Sequence, residues 1–91
     1  MESVAVQIAI DPQRVEAVLE EAGTMLDKTD GELILDLATV PRLAARDLRS
    51  LERLAAVADE RGVRIVLRGA GSSLYKVLKL MKLSSRFLFA E

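Results

Sequence analysis

The sequence predicts an α/β fold: a single-layered, mostly parallel four-stranded sheet with three helices, in the order β-α-β-α-β-α-β. Three observations carry this reading. Short apolar runs alternate along the chain with amphipathic segments of helical period. The two central runs, "ELILDLA" and "VRIVLRG", are nearly continuous in apolar residues, the mark of parallel strands buried on both faces. No linker, internal repeat or low-complexity stretch divides the 91 residues, so residues 1–91 read as one domain.

Each element has its local reason. "SVAVQIAI" alternates and is β-branched, which predicts a strand over residues 3–10. Asp11 followed by Pro12 reads as a helix N-cap and first helical residue. Val15, Val18, Leu19, Ala22, Met25 and Leu26 then recur at helical spacing, with Glu16, Glu20 and Glu21 on the other side, and the helix runs to Asp27 or Lys28. "KTDGE" is a turn, and "ELILDLA" is the second strand, stopped at Pro41, which has no N–H for a sheet ladder. The second helix starts between Leu43 and Asp47 and ends before Gly62, with Leu48, Leu51, Leu54 or Ala55, and Ala58 as its apolar stripe. "VRIVLRG" is the third strand. Ser72 or Ser73 caps a third helix with Leu74, Val77, Leu78 and Met81 inward and Lys76, Lys79 and Lys82 outward. "RFLFA" is a last short strand at a sheet edge.

Composition excludes several function classes. With 51% hydrophobic residues the chain has material for a core of its own. It has no Cys, hence no disulfide, thiol nucleophile or thiolate metal site, and no His, the commonest general base and metal ligand. Ser72, Ser73, Ser84 and Ser85 therefore have no imidazole to activate them. Asp36, at the end of a strand, is a single carboxylate without a base partner, and the expectation is that it bonds backbone amides of the next turn. No cofactor, no metal and no enzymatic activity are predicted. The opening "MESVAVQIAI" lacks a basic leader region, and no run approaches the roughly 20 apolar residues of a membrane span. A soluble, cytoplasmic protein is the expectation.

Charge is uneven. Residues 1–36 hold nine acids against Arg14 and Lys28, whereas residues 63–91 hold six bases against Glu91, within a net charge of −1. Such asymmetry fits either an electrostatic docking partner or an ordinary mixed surface after folding. Nucleic acid is not expected, because the chain has only Tyr75, Phe87 and Phe89 as aromatics and no concentrated basic surface. "GAGSS" after the third strand lacks the last glycine of a dinucleotide fingerprint, position 74 being Leu, and no phosphate loop is present.

The stretch "TVPRLAARDLRSLERLAAVADERG" carries Arg42, Arg46, Arg49 and Arg53 at spacings of four, three and four. On a helix these form one stripe. Interleaved Asp47, Glu52 and Asp59 fit a solvated face. However, cations at a helix start oppose its dipole by roughly 0.3–1 kcal/mol each, which fits a surface arranged for an outside partner.

From Gly31 onward the chain resembles the STAS domain, the fold of bacterial anti-sigma factor antagonists. "LILDLATV" is similar to the family's central strand, with its Asp at Asp36. "LRSLERLAAVADERG" matches the following helix and its terminal glycine, and "LYKVLKLMKLSSRFLFAE" the closing helix, turn and phenylalanine-bearing strand. The resemblance covers roughly residues 5–91. It implies a signalling module, and by its closest parallel regulation of transcription in bacteria, which acts by protein–protein interaction. The family's signature at the start of the second helix is Asp-Ser-Ser-Gly, whose second Ser a partner kinase phosphorylates. Here the matching positions are Ala44, Ala45, Arg46 and Asp47, so the phosphoacceptor position is Arg46 and the usual switch is absent. Ser50 and Thr39 are the nearest hydroxyls. Family members also carry an extra leading strand for which this chain has no room.

The resemblance places partner binding at the start and exposed face of the second helix: Arg42, Ala45, Arg46, Asp47, Arg49, Ser50 and Arg53. The partner it implies is an anti-sigma factor of the kinase-like type. A transporter subunit is the alternative, with the chain a small cytoplasmic STAS subunit of a membrane transporter, without membrane insertion of its own. A nucleotide- or lipid-binding STAS domain and a homo-oligomer are the further readings.

Overall fold

Four strands lie side by side in the order in which the chain makes them: β1 (Val4–Ala9), β2 (Gly31–Asp36), β3 (Arg64–Arg68) and β4 (Leu88–Ala90). Every neighbouring pair is parallel. Three helices connect them: α1 (Val15–Met25), α2 (Ala45–Arg61) and α3 (Ser72–Leu80). Single 3-10 turns follow α1 at Leu26–Lys28 and precede β4 at Ser84–Arg86. The structure, a computed structural model, describes residues 4–90; Ser3, expected to begin the first strand, lies outside these. The expected order of elements and four-stranded sheet are both present, and the sheet is parallel throughout.

Register divides the sheet into two unlike faces. Val6, Leu33 and Ile65 form one row, and Ile8, Leu35, Leu67 and Phe89 the next. Apart from Phe89, which is exposed at the edge, these side chains meet Val18, Leu19 and Ala22 of α1, Leu48, Leu51, Leu54, Ala55 and Ala58 of α2 and Leu74 and Leu78 of α3 in a continuous core. Leu33, Leu35, Leu67 and Leu78 are completely inaccessible. The other face carries Glu32 and Arg64, then Ile34 and Val66, then Asp36 and Arg68 on its two central strands. No residue of that face belongs to the core cluster. Thus β2 is not buried on both sides as its apolar run suggests: Leu33 and Leu35 are fully buried while Ile34 is only half-buried. The cause is topological. Right-handed crossovers between strands taken in consecutive order put every helix on the same side.

Helix ends follow local chemistry, with three departures from the sequence reading. Asp11 and Pro12 do not begin α1. Asp11 accepts from the Gln13 amide at 2.9 Å through Oδ1 and from the Arg14 amide at 3.0 Å through its carbonyl, which closes a separate turn, and α1 starts at Val15. An Asp-Pro pair suits a turn as well as a helix start, and the turn wins here. At α3 the cap is Gly71, and neither Ser72 nor Ser73 provides a side-chain cap. Val77 and Met81 point to solvent rather than inward, because Leu74 and Leu78 alone face the sheet. The start of α2 is held by Asp47, whose carboxylate accepts from the Ala44 amide at 3.0 Å.

The C-termini of α2 and α3 close alike. Gly62 is left-handed (φ 70°), its amide bonds Asp59 O, and the Val63 amide reaches back to Ala58 O at 2.9 Å. After α3 the left-handed position is Lys82 (φ 61°), with Leu83 N bonded to Leu78 O at 2.8 Å and both leucines buried. The β3–α3 loop turns through Gly69 (φ 72°), where a Cβ would lie 3.0 Å from Ala38 Cα and Cβ in the neighbouring loop.

Three stability outcomes are expected in chemical denaturation. Gly69→Ala combines a disfavoured φ with a backbone collision and destabilises by about 1–3 kcal/mol. Lys82→Gly relieves a left-handed side chain and stabilises by about 1 kcal/mol, the opposite sign to most substitutions. Asp47→Ala removes the bond at the start of α2 and costs about 0.5–1 kcal/mol.

Candidate functional site at the start of the second helix

The carboxyl ends of parallel strands are where open α/β sheets carry their sites, because the loops that leave them are free of the sheet ladder. Here three loops meet at that edge: residues 10–14, 37–44 and 69–71. The middle one is anchored at several points. Asp36 Oδ1 accepts from the Ala38 amide at 2.9 Å, which confirms its expected role as a turn former. The Val40 amide donates to Leu37 O at 3.0 Å, and Thr39 Oγ1 donates to Ile10 O at 3.4 Å. Leu37 and Val40 are buried beneath it. The chain therefore delivers α2 from a fixed loop.

Of the expected site residues, Ala45 is the first of α2, Arg46 and Asp47 follow in its first turn, and Arg49, Ser50 and Arg53 lie on the next two turns. Arg46, Arg49 and Arg53 share the face opposite Leu51, Ala55 and Ala58, and all three are exposed. Ser50 is half-buried and, with Arg53, borders a groove of about 220 Å³ between α1 and α2, floored by Leu19, Gly23, Leu54 and Val57. Arg46 and Asp47 border a second groove against the turn that leads into α1. Arg42 departs from the predicted stripe. It lies before the helix, whose cap Ala44 is extended, and turns into a small cleft with Leu43, Leu74 and Val77. The stripe on the helix is therefore three arginines long.

Salt bridges within the described residues engage three arginines, and those of the stripe, like Arg64 and Arg68 on β3, are not among them. Among the described residues, Arg14 pairs with Glu21, Arg61 with Asp27 and Arg86 with Asp59. None of Arg42, Arg46, Arg49 and Arg53 has an acidic group of the described residues within salt-bridge distance. Two of the three interleaved acids are engaged elsewhere: Asp47 holds the Ala44 amide and Asp59 turns to Arg86. Arg46 thus stands in the first turn of α2, against the helix dipole, with Asp47 of the same turn committed to the Ala44 amide rather than to it.

One part of this surface was not foreseen. Beside the Arg42 cleft, α3 exposes Val77 and Met81 and leaves Leu80 84% accessible. The sequence signal was present, since Leu80 falls outside the Leu74–Leu78 stripe. Among the described residues no cluster of acids suited to a metal ion occurs, and no helix is long and apolar enough to cross a membrane.

Comparison with known proteins agrees with this geometry. The family model described as "Mlab, STAS domain" matches residues 2–89. A sulfate transporter family protein from Wolinella succinogenes superposes with a TM-score of 0.77 at 21% identity, over 93% of this chain and 75% of that one. A putative anti-sigma factor antagonist from Thermotoga maritima gives 0.72 at 15% identity, over 100% of this chain and 75% of that one. No curated protein matches the chain. With a family model spanning nearly its whole length and the four-stranded parallel sheet to go with it, the chain belongs to the STAS domain family.

Proposed function

We propose that this domain is a non-enzymatic regulatory module that docks an acidic protein surface through the start and outer face of α2. The observation that carries the reading is the row of Arg46, Arg49 and Arg53, exposed and unpaired within the described residues, on a helix whose entry loop is pinned. Guanidinium groups pair bidentately with carboxylates and are frequent anchors of interfaces. Arg42, Ala45, Asp47 and Ser50 complete the contact area.

The position that receives phosphate in relatives of the anti-sigma factor antagonist type is Arg46 here. A phosphoryl group there would add about −1.5 to −2 charge and oppose an acidic partner. Arginine offers no hydroxyl and keeps the site positive, so docking is constitutive. The partner in this reading is an anti-sigma factor of the kinase-like type. A second reading is supported by the description of the matching family model and by the sulfate transporter family neighbour: the domain serves as a small subunit or module of a membrane transport system and docks a soluble part of it.

The test is affinity capture with the wild type beside the Arg46→Asp, Arg49→Asp double variant, followed by titration of the captured partner. The expected result is loss of binding by at least about 100-fold, the equivalent of a few kcal/mol from two interface arginines. Folding stability should hold or rise, since an acid in the first turn of a helix is favourable by about 0.3–1 kcal/mol. Equal affinity of the two forms would refute the docking face. The identity of the partner, a kinase-like regulator or a transport component, separates the two readings.

A further inference from the structure

The sheet face opposite the helices has a charge pattern with a symmetry of its own. Its central strands carry two short columns, Glu32, Ile34 and Asp36 on β2 and Arg64, Val66 and Arg68 on β3, aligned row by row. One column is acid, aliphatic, acid; the other is arginine, aliphatic, arginine. Val66 is only 8% accessible yet lies outside the core cluster, and Leu88 beside it is 47% accessible. The middle row runs Gln7, Ile34, Val66 and Leu88, aliphatic at its centre, and Arg68 donates to Gln7 Oε1 at 3.5 Å from the neighbouring row.

We propose that this face binds a second copy of the same chain, face to face, about a two-fold axis parallel to the strands. Such a rotation lays β2 of one copy over β3 of the other without reversing their direction. Glu32 then faces the second copy's Arg64, Asp36 faces its Arg68, and Ile34 packs on its Val66. By symmetry each contact occurs twice. The other in-plane two-fold, perpendicular to the strands, would set Glu32 against Asp36 and Arg64 against Arg68, all repulsive. The sequence on the two strands thus selects one arrangement and rejects the other. Stacked sheets sit about 10 Å apart, a gap that Ile and Val side chains fill from both sides. The face spans on the order of 300 Å² in plane, which is small for a specific interface, so the dimer is a weak one that forms at high local concentration. It leaves α2 free, since that helix is on the opposite side, and it does not depend on the docking reading above.

Sedimentation equilibrium of the full chain, up to about 1 mM, tests the proposal. The apparent mass should rise from 10.0 kDa towards twice that value. The Glu32→Arg, Asp36→Arg variant and the Arg64→Glu, Arg68→Glu variant should each be monomeric, because each face then repels its own copy. An equimolar mixture of the two should associate, every cross-copy contact then pairing opposite charges. Each double variant also sets like charges side by side within its sheet, so the fourfold swap, Glu32→Arg, Asp36→Arg, Arg64→Glu, Arg68→Glu, is the second measure: it again sets opposite charges on the two strands and should dimerise like the wild type. A wild type that stays monomeric at all concentrations overturns the proposal, as does association that persists in either folded double variant. So does a fourfold swap that folds but remains monomeric.

Discussion

The handedness of the β-α-β crossover governs the architecture. A right-handed connection between adjacent parallel strands always places its helix on the same side when the strands follow one another in a single direction across the sheet. With the order β1-β2-β3-β4 that condition holds three times in succession. All apolar helix stripes converge on one sheet face, and the core is a single layer between them. Doubly wound sheets reverse direction midway and bury both faces; this one does not, and half of its sheet surface is left to polar and mixed residues.

From that constraint follow the positions of the surfaces that can bind. Helix α2 spans the middle of the covered side and turns its outer face, with Arg46, Arg49 and Arg53, away from the sheet. Its entry loop is fixed by Asp36, Thr39 and the buried Leu37 and Val40, so the arginines are presented from a rigid base. The uncovered sheet side carries the paired acid and arginine columns of β2 and β3. The two surfaces are on opposite sides of the sheet.

Much of this was legible in the residues. The apolar period of "LRSLERLAAVADERG" named the buried residues of α2, and Gly62 marked its end, because a left-handed residue is needed where the last carbonyls are satisfied. The exposure of the arginine stripe followed from the same period. What failed had physical reasons. Asp11-Pro12 serves a turn and a helix start equally well, and only the tertiary path decides. The apolar run of β2 looked two-sided because Ile34 is aliphatic on the uncovered face, where it is only half-buried, whereas in β3 the expectation holds, with Ile65, Val66 and Leu67 all buried. Arg42 fell on the arithmetic of the stripe but precedes the helix, since nothing in its own residue type says where a helix begins. Val77 and Met81 matched a helical stripe that the short α3 does not turn inward.

Because spatial order repeats chain order, each strand after the first pairs on its amino side with the strand made just before it. No gap has to be held open in the sheet for a strand synthesised later, as happens when a central strand must await neighbours from both directions. A chain emerging from the ribosome at about 5–20 residues per second can lay down each β-α unit on a finished edge. No pairing has to close a loop longer than one β-α unit, which bounds the loop-closure entropy of each step. Growth by accretion keeps β1 as one edge throughout and makes a new second edge at each stage, the last described being β4, only three residues long, its Phe89 seated edge-on against Tyr75 at 4.9 Å between ring centres. An edge strand this brief offers little template for further pairing, in contrast to the six-residue β1 at the other edge.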